Sequence, residues 1–108
     1  MKTFLIISFM LLSNFISAQV TVLYFNAGWN EGNDVTWLDD LEDCEVIRID
    51  IAKSVKLQTK WKIVVVPTIL IIQYDEEKKR YQAGLSFKLT ATKEEVQEKI
   101  DEIIMSGF

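Results

Sequence analysis

Residues 20–34, VTVLYFNAGWNEGND, decide the fold prediction for this chain. The first eight, residues 20–27, form an almost unbroken apolar and β-branched run, which is typical of a strand covered on both faces. Two glycines then interrupt the run. Asn33 or Asp34 is suited to cap a following helix, because its side-chain oxygen accepts the free N–H groups of a first turn. The stretch therefore predicts a strand, then a loop, then a helix, and such a junction is a common place for functional residues.

The composition limits the class of partner. The chain has 108 residues, 49% hydrophobic and 26% charged, so we expect one globular domain. The net charge of −4 argues against nucleic acid as a partner, since phosphate binding needs a clustered basic surface. The basic cluster at residues 78–80 directly follows three acids, so the two signs cancel locally. We expect neither nucleic-acid binding nor a cofactor.

Cys44 is the only cysteine, and the chain contains no histidine. These counts exclude an intramolecular disulfide, a thiolate–imidazole pair and a serine–histidine triad. One thiol with carboxylates is a poor zinc-ligand set, so no metal site is predicted. The flanking acids Asp43 and Glu45 oppose ionisation of the thiol. We expect Cys44 to be a partly buried small hydrophobe. The alternatives are a monothiol redox role and a disulfide that joins two chains into a homodimer.

Residues 1–18 have the pattern of a secretory signal peptide. Lys2 supplies a positive start, residues 4–16 carry no charge and are mostly apolar, and Ala18 ends a small-residue cleavage site. The apolar run is too short for a good transmembrane helix. Cleavage after Ala18 would give a periplasmic or secreted protein with no membrane association.

The alternative for the N-terminus is a folded one. Residues 1–9 then form an edge strand and residues 11–19 a short helix, both attached to the main domain at residues 19–108. In that case the protein would be intracellular or associated with a particle.

The remaining pattern alternates strands with helices. It predicts a helix from residue 34 with an apolar stripe at Val35, Leu38 and Leu41. A strand at 45–51, a helix at 52–61, a strand at 68–74, a turn at 75–80 and a strand at 81–87 follow. The last helix begins with a capping box at 92–95 and ends at Gly107. This order indicates parallel crossovers with an antiparallel hairpin at one edge. We therefore predict an α/β fold with a mixed sheet of about four strands flanked by helices.

This element order resembles the thioredoxin family, as do two spaced motifs. The motifs are FNAGW at residues 25–29 and WKIVVVPT at residues 61–68. The resemblance covers residues 20–104 and implies a thioredoxin-like fold. It also implies a cis peptide bond before Pro67, facing the position of the family's redox site. Asp50 matches the acid that ends the family's next strand.

The departures from the family concern its chemistry. The two cysteines of its CxxC motif fall on Asn30 and Asn33, with Glu31 and Gly32 between them. Thiol–disulfide exchange needs a thiolate at a helix N-terminus and a second thiol, and neither asparagine amide ionises. Tyr24 stands where many thioredoxins hold a buried acid that assists proton transfer. We therefore expect a redox-inactive domain with no catalytic residues.

In the family, the surface around the CxxC motif and the cis-proline also grips extended polypeptide, which requires no thiol. We predict a surface that binds protein or an extended peptide and consists of Trp29, Asn30, Glu31, Gly32, Asn33, Val66, Pro67 and Thr68. An exposed tryptophan is a frequent interface anchor, although Trp29 packing on its own loop is the alternative. The asparagines are turn and capping residues or, as a pair, hydrogen-bond a ligand.

The leading functional prediction is a redox-inactive adaptor, scaffold or chaperone-like module. One alternative is a structural subunit of a larger assembly, such as an envelope complex or a virus particle. A divergent thiol–disulfide oxidoreductase is another. A third is an enzyme with unrelated chemistry at Tyr24, Glu31 or Asp34.

Overall fold

The computed structural model describes residues 19–106, so the predicted signal peptide and the helix-ending Gly107 lie outside the described residues. Four strands and two α-helices follow one another along this part of the chain: β1 Val20–Asn26, β2 Cys44–Asp50, α1 Val55–Lys60, β3 Thr68–Gln73, β4 Glu76–Gln82 and α2 Lys93–Ser106. The predicted mixed sheet of four strands is confirmed. Among residues 19–106, no helix is long and apolar enough to span a membrane.

The sheet has the strand order β2–β1–β3–β4. Strand β1 runs parallel to β2, with Val20 opposite Cys44 and Asn26 opposite Asp50. It runs antiparallel to β3, and β3 and β4 form an antiparallel hairpin. The two central strands, β1 and β3, are almost wholly buried, as the unbroken apolar run of β1 predicts.

Two apolar clusters cover the two faces of the sheet. Alternate residues of β1 point to opposite faces, so one strand contributes to both clusters. One cluster packs under α2 and includes Val22, Tyr24, Leu38, Ile71, Val96 and Ile100. The other lies on the face of α1 and includes Leu23, Phe25, Ile49, Leu70, Ile63 and Val66. The fully buried β1 and β3 therefore fix the end of the sheet from which the loop after β1 leaves.

The helix predicted from residue 34 is wrong. Only a single 3₁₀ turn, Leu38–Asp40, forms there. Acids at positions 39, 42 and 43 would stand three or four apart on a helix and repel one another. In addition, the side chain of Gln97 binds both main-chain groups of Glu42. The Glu42 N–H donates to Gln97 Oε1 at 2.7 Å, and the Glu42 C=O accepts from Gln97 Nε2 at 3.0 Å. Gln97 of helix α2 thus holds the main chain around Glu42 in a non-helical conformation.

The predicted hairpin is correct in kind but wrong in position. The turn consists of Tyr74 and Asp75, not of residues 75–80, and β4 begins at Glu76 rather than at residue 81. Both turn residues have left-handed backbone angles, with φ values of 54° and 61°, as a two-residue type I′ turn requires. The charged run that suggested a loop is the exposed edge strand, where charge opposes pairing with other chains.

Helix α2 begins with half of the predicted capping box, because the Glu95 carboxylate contacts the Thr92 hydroxyl at 3.4 Å instead of the Thr92 N–H. The Glu95 N–H donates to Thr92 Oγ1 at 3.1 Å, which satisfies one of the free first-turn amides. Helix α1 is shorter than predicted, because residues 50–53 form a turn in which the Ala52 N–H donates to the Asp50 carboxylate at 2.9 Å.

Thr92→Ala removes the oxygen that caps α2. We expect the free energy of unfolding to fall by about 1 kcal/mol, the usual cost of losing such a cap. Thr90→Ala changes an exposed threonine two residues earlier and is the matched control, expected to stay within about 0.5 kcal/mol of the parent. Urea unfolding curves measure both. Equal losses for the two variants would show that the cap does not stabilise α2.

Candidate functional site

The loop after β1 is the first element of the candidate site. Residues Gly28–Asn33 form a 3₁₀ segment rather than an α-helix, and Asn30 breaks it with φ −110° and ψ 19°. The α-helix whose N-terminus would lower the pKa of a thiol at this position is therefore not formed. The segment ends at Asp34, which has extended backbone angles.

The side chain of Asn30 is buried, with only 4% of the residue exposed. Its Nδ2 donates to Asn26 Oδ1 and to the main-chain oxygen of Phe87, each at 3.1 Å. Its Oδ1 accepts from Asn33 Nδ2 at 2.8 Å. Both amide protons and the amide oxygen thus have partners inside the protein. Asn30 and Asn33, which were predicted as capping or ligand-binding residues, thus hydrogen-bond to each other, and neither caps a helix.

Tyr24 and Asp34 extend this network. The Tyr24 hydroxyl donates to Asp34 Oδ1 and accepts from the Val35 N–H at 2.9 Å. Asn26 Nδ2 also donates to Asp34 Oδ1, at 2.9 Å. Asp34 therefore binds two side chains instead of capping a helix. We call the set Tyr24, Asn26, Asn30, Asn33 and Asp34 the asparagine network.

The tyrosine in this network is held in its neutral form. Burial raises the pKa of Tyr24 far above its usual range. The hydrogen bond that its hydroxyl donates to Asp34 raises the pKa further, because only the protonated form can donate it. The Tyr24 hydroxyl is thus held as a hydrogen-bond donor.

Beyond the network, aromatic and aliphatic side chains form an exposed apolar surface. Trp29 is 68% exposed and its ring meets that of Phe87 edge-to-face, with centroids 5.2 Å apart and planes at 88°. Val64 is 82% exposed. A groove of about 80 Å³ lies between these side chains, lined by Trp29, Ile51, Gln58, Val64, Val65, Val66 and Phe87. We call it the Trp29–Val66 groove.

The eight residues predicted for the binding surface occupy different depths. Trp29, Glu31 and Gly32 are exposed and Asn33 is half-buried. The other four, Asn30, Val66, Pro67 and Thr68, are buried, so their side chains are not exposed as a binding surface requires. The reasons are the network around Asn30 and the position of residues 66–68 at the entry to the central strand β3.

The segment before β3 is held by local bonds. The peptide bond between Val66 and Pro67 is cis. The Pro67 carbonyl accepts the Ala83 N–H at 3.0 Å, and the Thr68 hydroxyl donates to the Val65 carbonyl at 2.7 Å. Within residues 19–106, the main-chain N–H and C=O of Val66 have no hydrogen-bond partner, although Val66 is 2% exposed and lines the groove.

A second cavity, of about 270 Å³, lies on the other side of the loop. Its polar lining includes Tyr24, Asn26, Glu31, Asp34, Arg48 and Asp50. Arg48 forms an exposed ion pair with Asp39 at 2.9 Å. In the part of the chain that the structure describes, no group of three or more cysteine or acidic side chains is arranged to hold a metal ion.

Solved structures with the same arrangement include thioredoxins. A thioredoxin from Schistosoma mansoni has a TM-score of 0.63 at 18% identity, covering 88% of this chain and 86% of that one. A mutant thioredoxin from Halobacterium salinarum has a TM-score of 0.62 at 18% identity, covering 80% and 75%. The fold is thioredoxin-like. A malaria-parasite thioredoxin-2, described as a component of that parasite's protein secretion machinery, has a TM-score of 0.60 at 19% identity, covering 78% and 82%. No protein-family model and no curated protein matches the chain.

The one cysteine of this thioredoxin-like domain lies far from the loop. Cys44 starts β2 opposite Val20, whereas the loop leaves the other end of β1 after Asn26. Six residue-to-residue steps along β1 separate these ends, which is about 20 Å. Cys44 is half-buried against the apolar cluster, as predicted, and burial together with the Asp43 charge raises the pKa of its thiol.

Sequence reasoning missed two residues of the site. Asn26 ends an otherwise apolar strand, and this single polar residue at the strand end was the available signal. Phe87 lies 57 positions from its partner Asn30, within a segment that the sequence assigned to a strand. Nothing in the local pattern of that segment indicated the contact.

Tyr24→Phe removes two hydrogen bonds of the network, and we expect it to lower the free energy of unfolding by about 1–3 kcal/mol at neutral pH. The raised pKa of folded Tyr24 means that its contribution is complete below the pKa of an unfolded tyrosine, about 10, and is lost as the pH rises above it. The parent should therefore lose more stability above pH 10 than Tyr24→Phe does.

Unfolding curves between pH 7 and pH 11 measure this difference. Tyr74→Phe, an exposed tyrosine at the hairpin turn, is the matched control and should follow the parent. If the parent and Tyr24→Phe lost the same free energy of unfolding as the pH rises, the stabilising role assigned to the neutral Tyr24 hydroxyl would be contradicted.

Proposed function

We propose that this thioredoxin-like domain has no redox activity and binds extended polypeptide segments in the Trp29–Val66 groove, as an adaptor, scaffold or chaperone-like module. The observation that carries the proposal is the exposed Trp29 ring beside the unpaired main-chain groups of Val66.

The main chain at Val66 supports the polypeptide as the class of partner. Buried N–H and C=O groups nearly always have hydrogen-bond partners, so an unpaired pair at a groove needs an explanation. An extended peptide supplies a matching C=O and N–H from one residue, as in strand addition. A small apolar molecule would leave both groups unsatisfied.

The apolar surface beside these groups supports binding rather than packing. Trp29, Val64 and Phe87 lie together around the groove, and apolar surface of this kind marks interaction sites when it is contiguous. Tryptophan at such a place is the commonest residue to contribute a large part of the binding free energy. The edge-to-face contact with Phe87 orients the indole while leaving most of it exposed.

The absence of redox activity is proposed from three features of the loop. The two positions of the family's cysteines hold asparagines that bind each other. The 3₁₀ segment supplies no α-helix N-terminus to stabilise a thiolate. Tyr24, a neutral hydrogen-bond donor, occupies the position of the proton-transferring acid.

The location follows from the N-terminal pattern, which is the basis for proposing a periplasmic or secreted protein. The intact mass of protein from its natural source decides this. A mass that corresponds to a chain starting at Gln19 supports export and a partner outside the cytoplasm. A mass that starts at Met1 favours the assembly-subunit alternative. A doubled mass reversed by reductant would reveal a Cys44 disulfide between two chains.

For redox chemistry, we expect the purified protein not to accelerate the reduction of insulin by dithiothreitol above the rate without protein. Cys44→Ser should give the same trace, since the thiol is half-buried and far from the loop. An active thioredoxin is the positive control. Activity that disappears in Cys44→Ser would overturn the redox-inactive assignment.

For peptide binding, we expect a displayed library of random nonapeptides to yield binders of the purified protein. Trp29→Ala should lower the affinity for the selected synthetic peptides by about thirtyfold or more, because it removes an anchor that contributes at least about 2 kcal/mol to binding. Tyr74→Ala removes an exposed aromatic ring at the hairpin turn and is the matched control, expected to bind as the parent does. Calorimetric titration measures all three. Equal affinity of Trp29→Ala and the parent would reject the groove as the site.

A further inference from the structure

The segment that carries helix α1 is positively charged in an otherwise acidic protein. Residues 51–74 contain four lysines and no aspartate or glutamate, so all 16 acids of the chain lie outside this stretch. The lysines are Lys53, Lys56, Lys60 and Lys62, and they lie within ten residues of one another. Charge that is segregated in this way produces a local field, which an even mixture of both signs would cancel.

All four lysines are exposed, and within residues 19–106 none of them forms an ion pair. Lys60 lies over the ring of Trp61, with its Nζ 5.1 Å from the ring centroid, and this contact leaves its charge uncompensated. The cations that do pair with an acid are Arg48, Lys78, Arg80 and Lys99, all outside residues 51–74. The charge of this segment is therefore available to a partner.

Helix α1 places two of the lysines on one exposed face. Leu57 and Trp61, one turn apart, pack against the apolar cluster of the sheet and define the inner side of the helix. Since a helix turns once in about 3.6 residues, the side chains at positions 55, 56, 59 and 60 lie on the opposite side, and all four residues are exposed. The α1 basic surface consists of Val55, Lys56, Thr59 and Lys60 with the flanking Lys53 and Lys62.

Arg80 of β4 holds the end of this helix in place. Its Nη2 donates to the Trp61 carbonyl at 2.5 Å and its Nη1 to the Lys62 carbonyl at 3.1 Å. The guanidinium pairs with Glu77 at 2.8 Å, so this acid is already engaged. The lysines thus project from an anchored backbone, which lowers the entropy lost when a partner binds.

The charge distribution favours a short acidic polypeptide segment as the partner. An anionic bilayer or a nucleic acid is an extended negative surface, which would also repel the 16 acids outside residues 51–74. A short segment contacts the basic surface alone, because charges are screened over about 8 Å at physiological ionic strength. Val55, which is 62% exposed beside Lys56, offers an apolar contact between the carboxylates.

We propose that the α1 basic surface is a second protein-binding site, which takes an acidic polypeptide segment whose carboxylates pair with the exposed lysines. The inference goes beyond the proposed function, because none of the four lysines lines the Trp29–Val66 groove. An adaptor requires two binding surfaces, and this one is the second. Complementary charge of this kind mainly accelerates association and selects the partner, so the binding is salt-dependent.

A fluorescently labelled decaglutamate peptide is the probe, and labelled decaglutamine is the uncharged match. In anisotropy titrations the parent should bind decaglutamate and not decaglutamine. The affinity should fall about tenfold or more when the salt concentration rises from about 0.01 M to about 0.15 M, because the screening length shortens from about 30 Å to about 8 Å. Vesicles that contain phosphatidylserine and an oligothymidylate are titrated in parallel.

Lys56→Glu with Lys60→Glu reverses two charges on the exposed face of α1 and should lower the affinity for decaglutamate about tenfold or more. Lys79→Glu with Lys88→Glu makes the same change in net charge at two exposed lysines outside the basic surface. This matched control should stay within about threefold of the parent. Lys56→Gln with Lys60→Gln is a milder second variant with a loss in the same direction, and unfolding curves verify that all variants are folded.

Equal losses in the two charge-reversed variants would show that the peptide responds only to net charge, and would overturn the inference. Equal binding of decaglutamine, or no binding of decaglutamate, overturns it as well. Tighter binding of the vesicles or of the oligothymidylate would assign the surface to lipid or nucleic acid instead. Trp29→Ala should bind decaglutamate as the parent does, and a loss there would place the peptide in the groove. The nonapeptide titrations decide the proposed function separately, so failure of one leaves the other standing.

Discussion

The buried amide of Asn30 is the interaction on which the site depends. It joins the end of β1, the loop that follows and the distant Phe87 through hydrogen bonds that use both of its protons and its oxygen. A buried polar group left without partners would cost about 1–3 kcal/mol, so the surrounding groups are constrained to stay in place. Where the resemblance predicts the position of the family's reactive thiol, this chain carries a structural amide. These hydrogen bonds hold the loop in a form in which Trp29 is exposed.

This constraint links the fold to the proposed activity. The core of β1 and β3 fixes where the loop leaves and where the Val66 segment enters. The asparagine network then connects the loop to the main chain of Phe87, whose ring lines the groove. Both protons and the oxygen of the buried Asn30 amide have partners within the protein, so this amide is not available to a ligand. The exposed Trp29 ring and the Val66 main chain are the groups to which the proposed function assigns the partner.

The sequence predicted the parts of the fold that depend on strong periodic patterns. The fully buried run of β1, the mixed four-stranded sheet and the capped helix α2 are all confirmed. The helix from residue 34 failed because an apolar stripe does not reveal that Gln97, far along the chain, would bind the main chain of Glu42. The hairpin was misplaced because Tyr74 and Asp75 are unusual residues for left-handed angles.

The site was predicted less completely than the fold, because it also depends on contacts between residues that are far apart in the sequence. The replacement of both cysteines was visible in the sequence, as was the candidate anchor Trp29. That Asn30 is buried, and that Phe87 reaches it across 57 residues, are consequences of tertiary packing that no local pattern contains. Burial also separates the predicted surface into exposed residues and residues whose side chains are buried.

The most direct measurement is a titration of isotope-labelled protein with a selected peptide, followed by NMR. The account predicts chemical-shift changes at the Trp29 indole N–H and the Val66 amide, with the Asn30 side-chain amide protected from solvent exchange before and after binding. Rapid exchange of the Asn30 amide protons, or shift changes confined to a different surface, would contradict the claim that a fixed asparagine network supports a polypeptide-binding groove.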